Sequence, residues 1–241
     1  EDFVLLCKNR ERIPKKTVVL TFDDGYEGVY LNAYKVLKKF NFPATIFLSC
    51  ASIGTKKTFP WLPFYETQLS NIPKQMNPWL PLSWQEVQEM SKNSVSFGSH
   101  TMTHPEMGNL PEKQIEWEIS ESKRTIENKI GNNIWLFSYP HSFSGAKIFD
   151  RTLLESIKKL LKANGFEAAC STEIGANSQK TDLFTLRRIQ IDQTDSLFHF
   201  KAKVIGAYNW VRFPQQVFRS IFALVERIRT FKKRKTGTTI V

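Results

Sequence analysis

The sequence is poor in the features that staple small secreted domains or anchor a chain in a bilayer. It has only three cysteines, Cys7, Cys50 and Cys170, far apart and without a Cys-x-x-Cys pair. This excludes an evident disulfide framework and a cysteine-type zinc site. No run of about eighteen apolar residues occurs, so we expect no membrane-spanning helix. Internal repeats are also absent, and 241 residues that are 41% hydrophobic are enough for one sizeable globular domain.

The chain opens at Glu1, without a Met and without a charged and apolar leader. Such a start is typical of a trimmed or mature chain and says little about export. The compartment therefore stays open, although we favour a cytoplasmic or membrane-peripheral location over an exported one.

Acidic residues are scarce near the C-terminus. The net charge is 34 − 23 = +11, and eight basic residues face the single acid Glu226 between Arg212 and Lys235. We expect residues 1–211 to form the domain and residues 212–241 to form an amphipathic helix followed by a basic tail. A solvated tail is the simpler interpretation. Binding to an anionic membrane surface or an acidic polymer is the more specific one, and nucleic acid is disfavoured.

Strand-like and helix-like segments alternate along the chain, which predicts an α/β fold with a mostly parallel sheet. A capping box, Ser83 with Glu86, precedes one of the predicted helices. The predicted strands span 17–22, 44–48, 95–97, 134–137, 166–170 and 186–191, and the main predicted helices span 29–40, 111–130 and 149–163. Closure of the sheet into a barrel does not follow from this alternation alone.

Residues 51–81 break the alternation, because five prolines are interleaved with aromatic residues there. Long irregular connections in compact domains are commonly functional. The aromatic side chains would either stack on sugar rings or pack together beneath the loop, and the sequence does not separate these alternatives.

The chemistry is concentrated in two short motifs. In Thr21-Phe22-Asp23-Asp24-Gly25, two adjacent carboxylates end an apolar strand, where their side chains point in different directions. In Ser99-His100-Thr101-Met102-Thr103-His104, two of the chain's four histidines are spaced as they would be on one face of a helical turn, following another strand. One carboxylate and two imidazoles would leave an open coordination position on a metal ion, and the second carboxylate would be free to act as a base.

These paired motifs, in this order, resemble those of the NodB-homology polysaccharide deacetylases, of the poly-N-acetylglucosamine deacetylase-like branch. The resemblance runs from about residue 17 to about residue 191. It implies a distorted (β/α) barrel of about seven strands. It also implies hydrolysis of N-acetyl groups on the amino sugars of a polysaccharide or glycan, with one divalent metal ion, expected to be zinc.

The resemblance also implies roles for individual residues. Asp23 matches the catalytic base, and Asp24, His100 and His104 match the metal ligands. Tyr139 lies in a segment that replaces the family's Arg-x-Pro-Tyr motif, and would line the substrate groove with its backbone N–H facing the oxyanion.

The chain departs from the family at two points. Ser138 stands in place of the motif's arginine, and we expect Arg188, in Leu186-Arg187-Arg188-Ile189, to take over as the positive partner of Asp23. The family's late Leu-x-His motif, which supplies a general acid, is not visible, and a structural role is expected for both His141 and His199. These departures leave two alternatives: a glycan-binding protein that retains the metal pocket with little turnover, and an amidohydrolase acting on a small non-sugar amide.

Overall fold

The computed structural model describes residues 1–62, 79–141, 151–192 and 194–211. The strands are β1 (Leu20–Phe22), β2 (Ala44–Leu48), β3 (Val95–Ser99), β4 (Leu136–Ser138), β5 (Ala168–Ile174) and β6 (Leu186–Arg188). The α-helices are α1 (Asp2–Lys8), α2 (Lys35–Phe40), α3 (Trp84–Ser91), α4 (Glu112–Ile130), α5 (Arg151–Ala163) and α6 (Leu197–Val204). A π-helical stretch, Val29–Tyr34, leads into α2, and single 3-10 turns span Met107–Asn109, Leu183–Thr185 and Asn209–Val211.

All six strands pair in parallel and in chain order, from β1 to β6. The sheet curls into a half-barrel, so the predicted α/β class and barrel-like sheet are confirmed. The described residues contribute six strands, against about seven expected. Because β1 and β6 are the ends of this order, the half-barrel has an open side between its first and last strands.

Apolar periodicity explains why the helices cover the sheet. The α4 side chains Ile115, Ile119 and Ile126 recur at helical spacing and are all buried against the strands. Burial of each such side chain contributes about 1.5–3 kcal/mol of hydrophobic stabilisation. The helix predicted over 111–130 is therefore observed over Glu112–Ile130, and Gly131, in a left-handed conformation, ends it.

The capping box before α3 is also confirmed. The Glu86 backbone N–H donates to Ser83 Oγ at 3.2 Å, and the Ser83 N–H donates to Glu86 Oε2 at 2.8 Å. Strand ends were predicted less well, because β1 begins only at Leu20 and β6 ends at Arg188. β1 begins where its parallel partner begins, at Ala44 of β2, and β6 ends opposite Ile174, the last residue of β5.

Part of the predicted 51–81 insertion and the whole of residues 212–241 lie outside the described residues. The division of the chain at residue 211 therefore stays a prediction. Among the residues that are described, no helix has both the length and the apolar character needed to cross a bilayer.

Candidate active site

The site lies where β1 and β3 end, at the same edge of the sheet. Asp24 follows β1 in a left-handed conformation, with φ of +69°, and Gly25 follows with φ of +88°. A Cβ atom on Gly25 would lie 2.7 Å from the Leu48 side chain, so only glycine fits this turn. The turn carries the two adjacent carboxylates to different partners.

Asp24 faces both histidines of the second motif. Its Oδ1 lies 3.5 Å from His100 Nε2 and 3.4 Å from His104 Nε2. The three candidate ligand atoms all lie within 4.8 Å of one another. The structure therefore brings together the three residues that the sequence nominated as metal ligands.

The donor set fits a divalent metal ion. Asp24 Oδ1 is buried and has no hydrogen-bond partner within the described part of the chain, although burial of an unsatisfied carboxylate oxygen is costly. The His100 Nδ1 atom lies 2.8 Å from the Ser138 carbonyl oxygen, which can only accept, so Nδ1 carries a hydrogen and Nε2 is the nitrogen available to bind a metal ion beside Asp24. Two imidazole nitrogens and one carboxylate oxygen are ligands that zinc prefers, and they leave a coordination position open.

Burial shifts the pKa values of two of the candidate ligands, Asp24 and His104. It raises the pKa of Asp24 above its ordinary value, against the opposing effects of His100 and of hydrogen bonding from Tyr26. Burial also lowers the pKa of His104 to about 3, with His100 and His141 adding to the shift. A metal ion binds an imidazole in its neutral form, which the lowered pKa favours for His104. A bound cation would in turn favour the ionised form of the Asp24 carboxylate.

Asp23 points away from Asp24 to a different partner. Its Oδ1 and Oδ2 accept hydrogen bonds from Arg188 Nη1 at 2.6 Å and Nη2 at 2.7 Å, a bidentate pair. Burial acts to raise the pKa of Asp23, but His100 and Arg188 outweigh it and hold this pKa below its ordinary value. Asp23 is therefore an ionised carboxylate beside the candidate metal site, and its Oδ2 lies 4.0 Å from His100 Nε2.

Arg188 reaches Asp23 across the open side of the half-barrel, because it is the last residue of β6 and Asp23 directly follows β1. The guanidinium also donates to Ser138 Oγ at 3.1 Å and, through Nε, to the Ser171 carbonyl oxygen at 3.2 Å. Ser138, which stands where the family motif has arginine, thus binds the arginine supplied by another strand.

The histidine motif does not form a helical turn, which corrects the expectation from its spacing. Thr101 and His104 both have positive φ angles, +69° and +59°. Glu118 of α4, 1% exposed, holds the loop by accepting the N–H groups of Met102 and Thr103, each at 2.8 Å. The Thr103 hydroxyl donates to the same carboxylate at 2.5 Å. The backbone N–H groups that a helix would satisfy internally are satisfied here by a buried side chain.

The expectation for Tyr139 is wrong in its backbone role. The Tyr139 N–H donates to the Cys170 carbonyl oxygen at 3.1 Å, as part of the pairing between β4 and β5, and is not free for an oxyanion. Its side chain is 2% exposed, and its hydroxyl donates to the Phe184 carbonyl oxygen at 3.1 Å. Tyr139 therefore belongs to the core beneath the site.

His141 reaches the site instead. Its Nε2 lies 3.1 Å from the His104 carbonyl oxygen, and the two imidazole rings are 4.3 Å apart. Its own N–H donates to no acceptor within the described ranges. The sequence held the signal for this: if Ser138 takes the arginine position of an Arg-x-Pro-Tyr motif, the motif's tyrosine aligns with His141.

Sequence reasoning also gave no specific role to Trp61, in the proline-rich insertion. Its ring stacks on the His104 imidazole, with centroids 4.0 Å apart and planes at 25°. Its Nε1 donates to the Tyr26 hydroxyl oxygen at 3.4 Å. Phe59 and Trp79 also contact Tyr26. Within the described part of the insertion, aromatic residues thus pack against one another and against a candidate ligand.

Comparison with known proteins identifies the family of this chain. A polysaccharide deacetylase family model matches residues 10–168, which is more than half of the chain. The chain belongs to the polysaccharide deacetylase family. The matched span contains both carboxylates, both candidate histidine ligands and His141, and it ends before Arg188.

Relatives with known sequences and structures agree with this membership. The Bacillus subtilis protein YxkH is 28% identical over 187 residues, which cover 78% of this chain and 56% of that protein. A Staphylococcus aureus poly-beta-1,6-N-acetyl-D-glucosamine N-deacetylase is 30% identical over 123 residues, covering 51% of this chain and 35% of the relative. The chain thus spans about half or less of these relatives. The Streptococcus pyogenes deacetylase PplD, solved with acetate, shares the fold with a TM-score of 0.64 at 22% identity, over 84% of this chain and 76% of that one.

Proposed function

We propose that this chain is a metal-dependent hydrolase that removes N-acetyl groups from amino sugars of a polysaccharide or glycan, with poly-N-acetylglucosamine as the model substrate. The observation that carries the proposal is the pairing of two unlike carboxylates. Asp24 faces two histidine nitrogens, while Asp23, next to it, is held ionised by Arg188. Metal binding and proton transfer are thereby assigned to adjacent residues with different partners.

Asp24, His100 and His104 are the residues that would hold the metal ion, with zinc as the expected ion. When bound, such an ion supplies Lewis-acid polarisation of the acetyl carbonyl group and of the attacking water. The fixed tautomer of His100 and the buried, unpartnered Asp24 Oδ1 support this assignment.

Asp23 is the general base. It takes one proton from the attacking water as the water oxygen bonds to the acetyl carbon. The C–N bond then breaks, and the same proton passes from Asp23 to the leaving nitrogen, so the products are a free amine and acetic acid, which keeps the second proton of the water and then ionises to acetate in solution. Arg188 supports the first step, because a bidentate cation keeps the Asp23 carboxylate ionised and correctly aimed.

The backbone N–H of His141 is the proposed oxyanion donor, in place of Tyr139. His141, whose ring lies 4.3 Å from that of His104, has a positive φ of +58°, and its N–H is not engaged by any described acceptor. An N–H aimed at the developing negative charge stabilises the transition state of acyl transfer.

The test is acetate release from N-acetylglucosamine oligomers and from small non-sugar amides, each with and without a chelator. The proposal predicts chelator-sensitive acetate release from the sugar oligomers. A protein that binds metal and glycan without releasing acetate would instead be a glycan-binding member of the family. A protein that hydrolyses only the non-sugar amides would be an amidohydrolase of the same fold.

A further inference from the structure

Helix α6 presents large apolar side chains to solvent. Leu197, Phe198 and Ile205 are 68%, 77% and 81% exposed, which are the highest values among the large hydrophobic residues described. Spacings of four and seven residues place Leu197 with Lys201, and Phe198 with Ile205, on one side of the helix. We call this set, Leu197, Phe198, Lys201 and Ile205, the α6 face.

The polar contacts of α6 lie on its other side. Lys203 Nζ is 2.6 Å from Asp195 Oδ2 and 3.5 Å from Asp192 Oδ2, and only 12% of its side chain is exposed. Ser196 caps the helix by accepting the His199 N–H at 3.3 Å. This ion pair joins α6 to the loop directly before it, and the same side of the helix also carries Phe200 and Val204, which are 42% and 44% exposed. The α6 face is therefore the more exposed of two apolar sides. Exposed apolar groups of this kind mark an interaction site.

The charge around the α6 face selects the kind of partner. No acidic residue occurs from Ser196 to Val225, and from Ser196 to the end of the chain ten lysines and arginines face the single acid Glu226. Lys201 lies within the face itself, and Trp210 is a further exposed aromatic residue shortly after it, at 64%. Apolar and aromatic side chains beside basic residues are the composition of helices that lie in the interface of an anionic bilayer. A soluble acidic polymer would pair with the basic charges but would leave the apolar side chains in water.

We propose that the α6 face docks the protein onto an anionic lipid bilayer, with Phe198 and Ile205 entering the interface and Lys201 meeting the lipid phosphates. This role goes beyond the proposed deacetylase activity and does not depend on it. The candidate active-site residues are not part of the α6 face, so vesicle binding and catalysis can be changed separately.

The experiment measures binding of the full chain to vesicles of mixed phosphatidylglycerol and phosphatidylcholine, and to vesicles of phosphatidylcholine alone. The test variant is Phe198→Ser with Ile205→Ser. The matched control is Val36→Ser with Phe40→Ser, which removes two apolar side chains that are 53% and 56% exposed at another part of the surface. We expect binding to the anionic vesicles to weaken about tenfold or more in the test variant, which corresponds to about 1.4 kcal/mol. We expect it to stay at the wild-type level in the control, and to fall with added salt for the wild type.

Thermal unfolding and sedimentation of the same variants separate the other occupants. If another part of this chain covers the α6 face, the test variant will melt earlier than the control and vesicle binding will persist. If a second copy covers it, a wild-type dimer will dissociate in the test variant while vesicle binding persists. Equal binding of wild type and test variant to anionic vesicles and to soluble polyglutamate would point to an acidic polymer. Each of these results overturns the proposal, and the single Phe198→Ser variant serves if the double variant does not fold.

Discussion

Arg188 illustrates how one side chain can replace an interaction that the usual motif position no longer supplies. The arginine is absent from the motif at the end of β4, where Ser138 stands, and is present at the end of β6. From there it forms the bidentate contact with Asp23 and also binds Ser138 Oγ. The sequence raised this role only as a resemblance. The distances support it, because the Arg188 guanidinium lies within hydrogen-bond distance of both Asp23 and Ser138.

We predict that Arg188→Ala lowers kcat/KM for acetate release by about a hundredfold, the scale expected when a general base loses its alignment and charge partner. Metal content should stay at the wild-type level, because Arg188 contacts none of the three candidate ligands by hydrogen bond. His199→Ala is the control, since His199 lies exposed on α6 and should leave kcat/KM unchanged. A large loss in His199→Ala with little effect in Arg188→Ala would show that the proton chemistry is placed at the wrong residue.

Trp61 acts on the site through His104. Its stacking fixes the plane of one imidazole, and its hydrogen bond to Tyr26 extends toward Asp24, so the indole positions two candidate ligands together. Partners that orient metal ligands contribute about 10–100-fold to metal affinity.

We predict that Trp61→Ala weakens zinc binding about tenfold, measured as a Kd by competition with a chelator. Trp61→Phe should recover most of the affinity, because a phenyl ring can still stack on the imidazole, although it is smaller than the indole and lacks the N–H. An unchanged zinc Kd together with a raised KM for the glycan would mean that the ring contacts substrate, the alternative that the sequence left open.

At the scale of elements, the loop after β3 shows why spacing alone misled. Two histidines four residues apart fit a helical turn, and the same spacing also fits the loop that is observed. The loop is selected by Glu118, a charged residue on the buried side of α4 between Ile115 and Ile119. That interruption is visible in the sequence, but which loop the carboxylate holds is decided by a tertiary contact between α4 and the end of β3.

We predict that Glu118→Ala lowers the free energy of unfolding by about 3 kcal/mol, because two backbone N–H groups and one hydroxyl lose a buried acceptor. Zinc affinity should fall in the same variant, since His104 follows directly from the loop that Glu118 holds. Urea unfolding and a zinc Kd are the two measurements. Glu121→Ala, which removes a partly exposed carboxylate paired with Arg124, is the matched control and should change stability by less than about 1 kcal/mol.

At the scale of the whole molecule, the parallel arrangement of the strands was predicted more accurately than the residues at which each strand begins and ends. Alternating strand and helix patterns indicate a parallel sheet, and the sequence located β2 and α4 to within one residue of their observed bounds. The open side of the half-barrel was not foreseen, because local patterns do not report whether the first and last strands pair. This opening has a functional consequence: side chains of β1 and β6 meet across it, and the Asp23–Arg188 pair lies there.

The sequence predicted those site residues that belong to a motif at the end of a strand. It did not predict the residues that reach the site only through tertiary contacts. Asp23, Asp24, His100 and His104 come from two motifs that parallel pairing carries to one edge. His141, Glu118 and Trp61 join them through a loop, a helix and an insertion whose positions depend on packing. Tyr139 was misassigned because it directly follows β4, where its N–H still bonds to the neighbouring strand β5. The residue that reaches the site is His141, two positions later.

The central claim is that Asp23 and Asp24 divide proton transfer and metal binding between them. The most direct measurement is metal content and acetate release in parallel for the wild type, Asp23→Asn and His100→Ala. The account predicts about one metal ion per chain and chelator-sensitive acetate release in the wild type, with metal retained and acetate release abolished in Asp23→Asn, and with both lost in His100→Ala. An Asp23→Asn variant that releases acetate at the wild-type rate, or a His100→Ala variant with full metal occupancy, would contradict it.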